Sequence, residues 1–362
     1  MIIDDSKYKI MRITFILPGF IKIPMGGVKI VHEYANRLVD RGHVVTLIYP
    51  IELDINHFSI SLKKIFRNTY DKLTKVNNEL YYNPNPSVNV LVVKKIISKY
   101  IPEGDAIIAV GWQTAERVSE LPEIHGKKFY LLQSFETYFR NRKKILKTYH
   151  LTMQKIAISQ WIIDELKKLG ESGYGPLGNA INIDEFFIIS PKGKRPYHIM
   201  MLYHHHKIKG AKDGLKVIKS VKMSIPNLKA ILIAPRKPIH KIPSWIKVVI
   251  RPSVEELLNL YNSSKIFLHT SHWEGWGLPV MEAMACGCAV VAAGNRGVKE
   301  YLMHKHNTLL SPIGDIESLS NNVLLILRDL ELRQKLIENG ISFVKTYSWE
   351  NIINQLENII CQ

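Results

Sequence analysis

An α/β protein built from two doubly wound, Rossmann-like domains is what this sequence predicts, and three observations carry that expectation. The chain has 362 residues, enough for two domains of about 150 to 200 residues, each with its own core. Apolar runs that read as strands alternate with stretches of helical periodicity. That alternation fades after residue 170 and begins afresh near residue 197, as a second copy of the same architecture would.

The elements follow in order. "RITFILPGF" is a β-rich apolar run, followed by the turn-rich "IKIPMGGVK". In "IVHEYANRLVDRG", Ile30, Tyr34 and Leu38, with Val31 and Ala35, recur at helical spacing, and "HVVTLIYP" is again a strand. A β-loop-α-β unit of this kind makes a right-handed parallel crossover. "DAIIAVGWQTAERVSEL" and "KKFYLLQSFETYF" repeat the strand-then-loop pattern, and "KIAISQWIIDELKKLG" adds a strand and a helix that ends at Gly170. The second series comprises strand "HIMMLY", helix "AKDGLKVIKSVKM", strands "KAILIA" and "IKVVI", helix "SVEELLNLYNSS" and strand "KIFLHT". The helix "DLELRQKLIENGISF" and the amphipathic "YSWENIINQLENII" close the chain, the last placed to pack back on the first half. Domain limits of 1–190 and 191–345, with a returning helix at 346–362, follow from this pattern.

Composition excludes several classes. With 46% apolar and 22% charged residues the chain is globular, not disordered. Three cysteines (Cys286, Cys288, Cys361) without a C-x-x-C pair give neither a disulfide framework nor a zinc site, and a reducing cytoplasm suits them. Cys286 and Cys288 read as small packing residues. No apolar run reaches the roughly 18 residues of a membrane span, and acids precede the first apolar stretch, unlike a signal peptide. The expectation is a cytoplasmic protein, peripheral to a membrane at most. A net charge of +17 points to phosphate-bearing partners: nucleotides, anionic lipid or nucleic acid.

The densest chemistry lies in "HTSHWEGWGLPVMEAMACG", residues 269–287, where Glu274 and Glu282 stand eight positions apart around a Gly-Trp-Gly-Leu-Pro turn. The pattern predicts a helix from Pro279, where a missing N–H costs nothing. Free N–H groups there, with those of Gly277 and Leu278, would face the crevice at the carboxyl ends of the strands. Glu282, in the first helical turn, can accept two hydrogen bonds from a vicinal diol such as a ribose. The bland alternative makes Glu282 a helix-dipole partner and Glu274 a solvated loop acid.

The pattern E-G-x-G-L-P-x-x-E-A-M-A-C-G closely resembles the retaining glycosyltransferases of family 4, with similarity from about Arg12 to Tyr347, densest from Ser253 to Gly297. The resemblance implies the GT-B fold, two Rossmann-like domains facing a central cleft. It implies that Glu282 holds the nucleotide ribose, that Glu274 lies beside the hydroxyls of the transferred sugar, and that Trp276, Gly277 and Leu278 belong to the donor site. Gly26 and Gly27 match the family's first glycine-rich loop near the donor phosphates. Lys209-Gly210 matches its diphosphate-binding Lys-Gly, but Tyr203 stands where the family has an Arg, which leaves His204, His206 or Lys207 to supply a second cation. Gln133 occupies the place of a His near the reacting sugar carbon, with Glu136 nearby.

The implied activity is metal-independent, retaining transfer of a hexose from a UDP- or GDP-linked sugar to a glycan or lipid-linked acceptor in cell-surface polysaccharide synthesis. Catalytic roles fall to Glu274, Lys209 and Gln133. The triple histidine 204–206 lacks the companion ligands of a metal site. "YFRNRKKILKTY" and "ISLKKIFRNTYDKLTK" combine cations with apolar residues as a helix on anionic lipid would, though a solvated face reads the same way. Two rivals stand: a GT-B-like scaffold without activity, suggested by the absent Arg, and a nucleic-acid-binding protein, which the charge permits although no such module is present.

Overall fold

The computed structural model describes residues 9–19, 25–53, 84–139, 141–190 and 193–362. The chain forms two compact units, Met1–Gly178 with Glu350–Gln362 and Asn179–Trp349.

In the first unit the described elements are β1 (Arg12–Ile16), α1 (Gly26–Asp40), β2 (Val44–Pro50), β3 (Asn89–Val93), β4 (Ala106–Val110), α2 (Trp112–Ser119), β5 (Lys127–Leu132), α3 (Arg142–Tyr149), β6 (Gln154–Ala157) and α4 (Gln160–Lys168). The strands pair in parallel in the order β3-β2-β1-β4-β5-β6, which reverses direction between β1 and β4. The central strand β4, "AIIAV", is buried at all five positions, as a strand covered by helices on both faces must be.

The second unit repeats the plan. Its elements are β7 (Tyr197–Leu202), α5 (Ala211–Ser224), β8 (Ala230–Ala234), β9 (Ile246–Ile250), α6 (Val254–Asn262), β10 (Ser264–His269), α7 (Leu278–Ala285), β11 (Ala289–Ala293), α8 (Arg296–Lys299), β12 (Leu309–Ser311), α9 (Ile316–Arg328) and α10 (Leu330–Thr346). The parallel order is β12-β11-β10-β7-β8-β9, with the reversal between β7 and β10. Both units therefore have the strand order of a dinucleotide-binding fold, whose ligands sit outside the carboxyl ends of the strands at the reversal. A capping box starts α6: the Ser253 hydroxyl accepts the Glu256 N–H, and the Glu256 carboxylate accepts the Ser253 N–H.

The last helix, α11 (Trp349–Ile360), returns from Glu350 onward to the first unit. Its buried Glu357 accepts from Arg41 and pairs with His43 Nε2 at 3.0 Å, while Arg41 also reaches Asn354 and Glu350. An acid buried among Ile353, Leu356 and Ile360 would be costly without these partners.

Three local readings change. Gly26 and Gly27, read as loop, form the first turn of α1. The α7 helix begins at Leu278, so Pro279 is its second residue. In α3, Ile145 is 0% exposed, so this apolar residue of the basic segment packs into the unit and is not available to a lipid headgroup layer. The other basic segment, "ISLKKIFRNTYDKLTK", lies outside the described residues, as does Arg140.

Candidate active site

In the second unit the loops that follow β7 and β10 meet at the strand reversal. The link is sewn by backbone and side chain: His272 N–H donates to the Ile208 carbonyl at 2.7 Å, and Thr270 Oγ1 donates to the Gly210 carbonyl at 2.9 Å. Gly210 ends a short 3-10 turn at Lys207–Lys209 and starts α5 with φ 62°. These bonds bring together two residues that lie 65 positions apart, Lys209 and Glu274, with Nζ to Oε2 at 2.8 Å.

Glu274 is 14% exposed and Lys209 33%. Burial alone would raise the Glu274 carboxyl, but the Lys209 ammonium, His269 and hydrogen bonds from Lys209 and Ser271 hold it below the ordinary carboxylate value. It is an anion at neutral pH. Behind it, Asn295 Nδ2 contacts His269 Nε2 at 3.3 Å and donates to the Ser271 carbonyl at 2.9 Å, which fixes the strand end that carries the loop. His272 Nε2 pairs with Asp213 Oδ2 at 2.7 Å in the first turn of α5.

The glycine turn is braced from inside. Gly277 has φ 105°, and a β-carbon there would meet Val298 and the Tyr301 hydroxyl at 2.8 and 3.0 Å. Tyr301 donates to the Gly277 carbonyl at 3.0 Å. Trp276 is buried; its ring packs against Tyr301 and Tyr347, and its N–H points at Met281 sulfur. Glu282 is buried as well and accepts from the Tyr261 hydroxyl at 3.0 Å. Tyr203 is turned inward, its hydroxyl accepting from the Ile239 and His240 N–H groups and paired with His240 Nδ1 at 2.6 Å.

His204 Nδ1 accepts the His206 N–H at 3.0 Å, so its ring is neutral with the proton on Nε2. Partial burial and then the Lys209 ammonium push it down to about 4. His204 therefore offers a hydrogen-bond donor at neutral pH and not a cation. Cys286 and Cys288 pack below α7, where burial pushes the Cys288 thiol up to about 12. Among the described residues, no group of three or more His, Cys, Asp or Glu could hold a metal ion.

In the first unit, Gln133 lies beyond β5 and its Nε2 donates to the Gly27 carbonyl at 2.9 Å. A β-carbon on Gly27 would overlap the Gln133 amide oxygen, so the glycine permits this approach. Gly26, Gly27 and Gln133 thus form one cluster, with Glu136 three residues on.

Residues 182–343 match the family model of glycosyl transferases group 1. The matched region covers the strand reversal of the second unit, the Lys209–Glu274 pair and the glycine turn. Among curated proteins the chain is 32% identical over 114 residues to O-antigen chain mannosyltransferase B of Escherichia coli. That stretch is 32% of this chain and 29% of the relative. It is also 32% identical over 100 residues to an N,N'-diacetylbacillosaminyl-diphospho-undecaprenol α-1,3-N-acetylgalactosaminyltransferase of Campylobacter jejuni, 28% of this chain and 26% of that one. The chain thus spans less than a third of the length of these relatives.

Whole-chain likeness is to solved structures. Sucrose-phosphate synthase from Thermosynechococcus elongatus superposes with a TM-score of 0.74 at 16% identity, covering 96% of this chain and 98% of that one. Anabaena HepE in complex with UDP and glucose gives 0.71 at 18% identity, covering 96% and 99%. The GT-B fold expected from the sequence is the fold observed, in strand order and in the returning helix.

No helix among the described residues is long and apolar enough to cross a membrane. The Lys209–Glu274 pair, the His269–Asn295 support and the Tyr261–Glu282 bond were not legible as contacts in the sequence, because each joins residues from different loops or helices.

Proposed function

We propose that the chain is a metal-independent, retaining glycosyltransferase that moves a hexose from a UDP- or GDP-linked donor to a glycan or lipid-linked acceptor. The observation that carries this reading is the Lys209–Glu274 pair, held at the strand reversal of the second unit beside a helix that starts at a glycine turn. A cation tied to a carboxylate can move part of its charge to a diphosphate as the glycosidic bond breaks, with no reorganisation of the loop. Glu274, kept ionised, accepts from sugar hydroxyls and stabilises positive charge developing at the anomeric carbon. The α7 N–H groups and His204 Nε2–H add donors for phosphate oxygens. The UDP-bound HepE neighbour and the diphospho-undecaprenol named for the Campylobacter relative fit these substrate classes.

Thermal melting with UDP, GDP and their sugar conjugates tests the reading. A donor at 100 times its Kd should stabilise the protein by about 2.7 kcal/mol. Absence of any shift with millimolar nucleotide would overturn it. A second reading, nucleotide binding without transfer, is favoured by Tyr203, whose inward position supplies no cation where the family has one. Stabilisation by nucleotide with neither transfer nor donor hydrolysis would select it.

Glu282→Ala is expected to weaken nucleoside diphosphate binding about tenfold, the value of one charged hydrogen bond to a ribose. Tyr261→Phe, which removes one internal partner and keeps the carboxylate, should change it far less. Titration calorimetry on both variants separates ribose contact from support of α7.

The exposed Arg142 and Lys143 of α3, with Lys147, form a solvated basic face, and Lys144 pairs with Glu116 at 3.3 Å. With Ile145 inside and Leu146 half-buried, attraction of this face to an anionic membrane is mainly electrostatic, about 1 kcal/mol per cation and screened by salt. Sedimentation with anionic liposomes should show binding at low salt that 0.5 M salt abolishes. Salt-resistant binding would contradict a purely electrostatic contact.

A further inference from the structure

Transfer needs a place for the acceptor, and apart from Gly26 and Gly27 the donor residues expected from the sequence lie in the second unit. In the first unit, polar atoms that the fold does not use collect at the carboxyl ends of β4 and β5. Glu136 follows β5. Its Oε2 accepts the Trp112 N–H at 3.1 Å, at the first residue of α2, and its own backbone N–H donates to the Tyr149 hydroxyl at 2.9 Å. The second carboxyl oxygen has no protein partner among the described residues. Gln113, in the same turn of α2, holds its Oε1 buried and equally without a partner.

Gly111 joins the two. It precedes α2 with φ 79°, and the point its β-carbon would occupy is 2.7 Å from Gln113 Oε1 and 3.9 Å from Glu136 Oε2. The unpartnered Gln113 oxygen and one oxygen of the Glu136 carboxylate therefore lie over the bare face of a glycine. Glu136 Oε2 is met by the Trp112 N–H, but the buried Gln113 Oε1 costs free energy until a donor reaches it. The place is also the right one for a ligand, because β4 borders β1 at the strand reversal.

We propose that Glu136 and Gln113, over Gly111, form a hydroxyl-binding subsite for a sugar. Its assignment to the acceptor rests on the glycosyl-transfer reading. Neighbouring hydroxyls of a pyranose supply two donors, one for Gln113 Oε1 and one for the free Glu136 oxygen, whereas a phosphate would meet a carboxylate of its own sign. Gly111 must stay bare, since a side chain would fill the subsite. The hydrogen bond to α2 fixes one carboxyl oxygen and leaves the other for the ligand.

Ionisation gives the subsite a signature. Burial pushes the Glu136 carboxyl up to about 7, with the Trp112 N–H drawing it partly back. The titratable groups facing it are the phenols of Tyr130 on β5 and Tyr149 on α3, both raised by burial and neutral throughout this range. A carboxylate accepts a hydroxyl hydrogen more strongly than the neutral acid does. Sugar binding should strengthen as pH rises through about 7 and weaken below it.

The test uses the full chain without nucleotide, titrated by saturation-transfer NMR with the methyl α-glycosides of mannose, glucose and galactose at pH 6 and pH 8. At least one is expected to bind saturably, several-fold more tightly at pH 8. Glu136→Gln should weaken it about tenfold and remove the pH dependence; Gln113→Leu should weaken it and keep the pH dependence. Unchanged UDP or GDP binding by both variants shows that they are folded. The proposal is overturned if no glycoside binds wild type at either pH, or if Glu136→Gln binds as wild type does. Failure of nucleotide binding in wild type would strike the transferase reading instead and leave the sugar subsite standing.

Discussion

Lys209→Ala should lower kcat about 100-fold or more, with a smaller change in donor KM. On the proposed transfer reading Lys209 is needed most when the diphosphate gains charge, and removing one such donor from a preorganised site costs about 3 kcal/mol of transition-state stabilisation. The structure adds a complication, because Lys209 also neutralises Glu274. Without the ammonium, burial becomes the dominant influence on Glu274 and its carboxyl rises. A carboxyl held below its unfolded value stabilises the fold above that value and loses the contribution as pH falls through the folded one. Lys209→Ala therefore removes stability at neutral pH, on the order of 1–3 kcal/mol for a charge left without its partner.

A double substitution separates the two roles. If Lys209 served only to neutralise Glu274, Lys209→Ala combined with Glu274→Gln would recover the melting temperature and turn over as fast as Glu274→Gln alone. If Lys209 acts on the diphosphate, stability recovers while kcat stays well below that of Glu274→Gln. Single-turnover transfer assays with melting curves on Lys209→Ala, Glu274→Gln and the double variant decide it, and a kcat within a few-fold of wild type in Lys209→Ala would place the anion elsewhere, with His204 Nε2–H as a candidate.

What the sequence showed of this fold depended on distance along the chain. Period and punctuation exposed β1, β2, β4 to β10 and the helices α1, α4, α5 and α6, because the strand and cap signals are local: Ser253 and Glu256 announce α6 within four residues, whereas α2 reads as loop and is helical. β3, β11 and β12 escaped. "AVVAA" of β11 is a short continuous apolar run with no alternation to distinguish it from buried helix, and β12 has three residues. The site was legible as composition but not as geometry. Glu274, Glu282 and Lys209 could be named from their motifs, yet nothing local says that Lys209 grips Glu274, or that Tyr261 grips Glu282. The resemblance names Trp276 and Tyr203 as donor-site residues, but no local pattern announces their contacts: one braces the turn against Tyr301 and Tyr347, and the other bonds backbone inside the unit. Gly26 and Gly27 looked like loop because glycine disfavours helix, but Gln133 requires that close approach, and packing overrode propensity.

Gly210→Ala should be the most damaging single methyl addition at the candidate site. Gly210 has φ 62°, a left-handed conformation that costs an alanine roughly 1–2 kcal/mol. The larger part is steric. A β-carbon at Gly210 would sit well inside 3.0 Å of the Thr270 carbonyl oxygen, a backbone atom at the end of β10 that cannot swing aside as a side chain can. Moving it pulls on the bonds from Thr270 Oγ1 to Gly210 and from His272 to Ile208, and these hold Lys209 against Glu274. Strain and lost bonds together come to about 3 to 5 kcal/mol, in the range reserved for disrupted cores and strained backbone. For a unit of this size that lowers Tm by about 10 °C, and nucleotide binding should fall with it. Gly214→Ala is the control. Its β-carbon would overlap Met201 sulfur, the adaptable part of an unbranched side chain, and its backbone lies in regular helix. The control should lose clearly less stability than Gly210→Ala. If Gly210→Ala melts within about 2 °C of wild type, the two loops are not locked to each other at this glycine, and the rigid placement of Lys209 argued above fails with it.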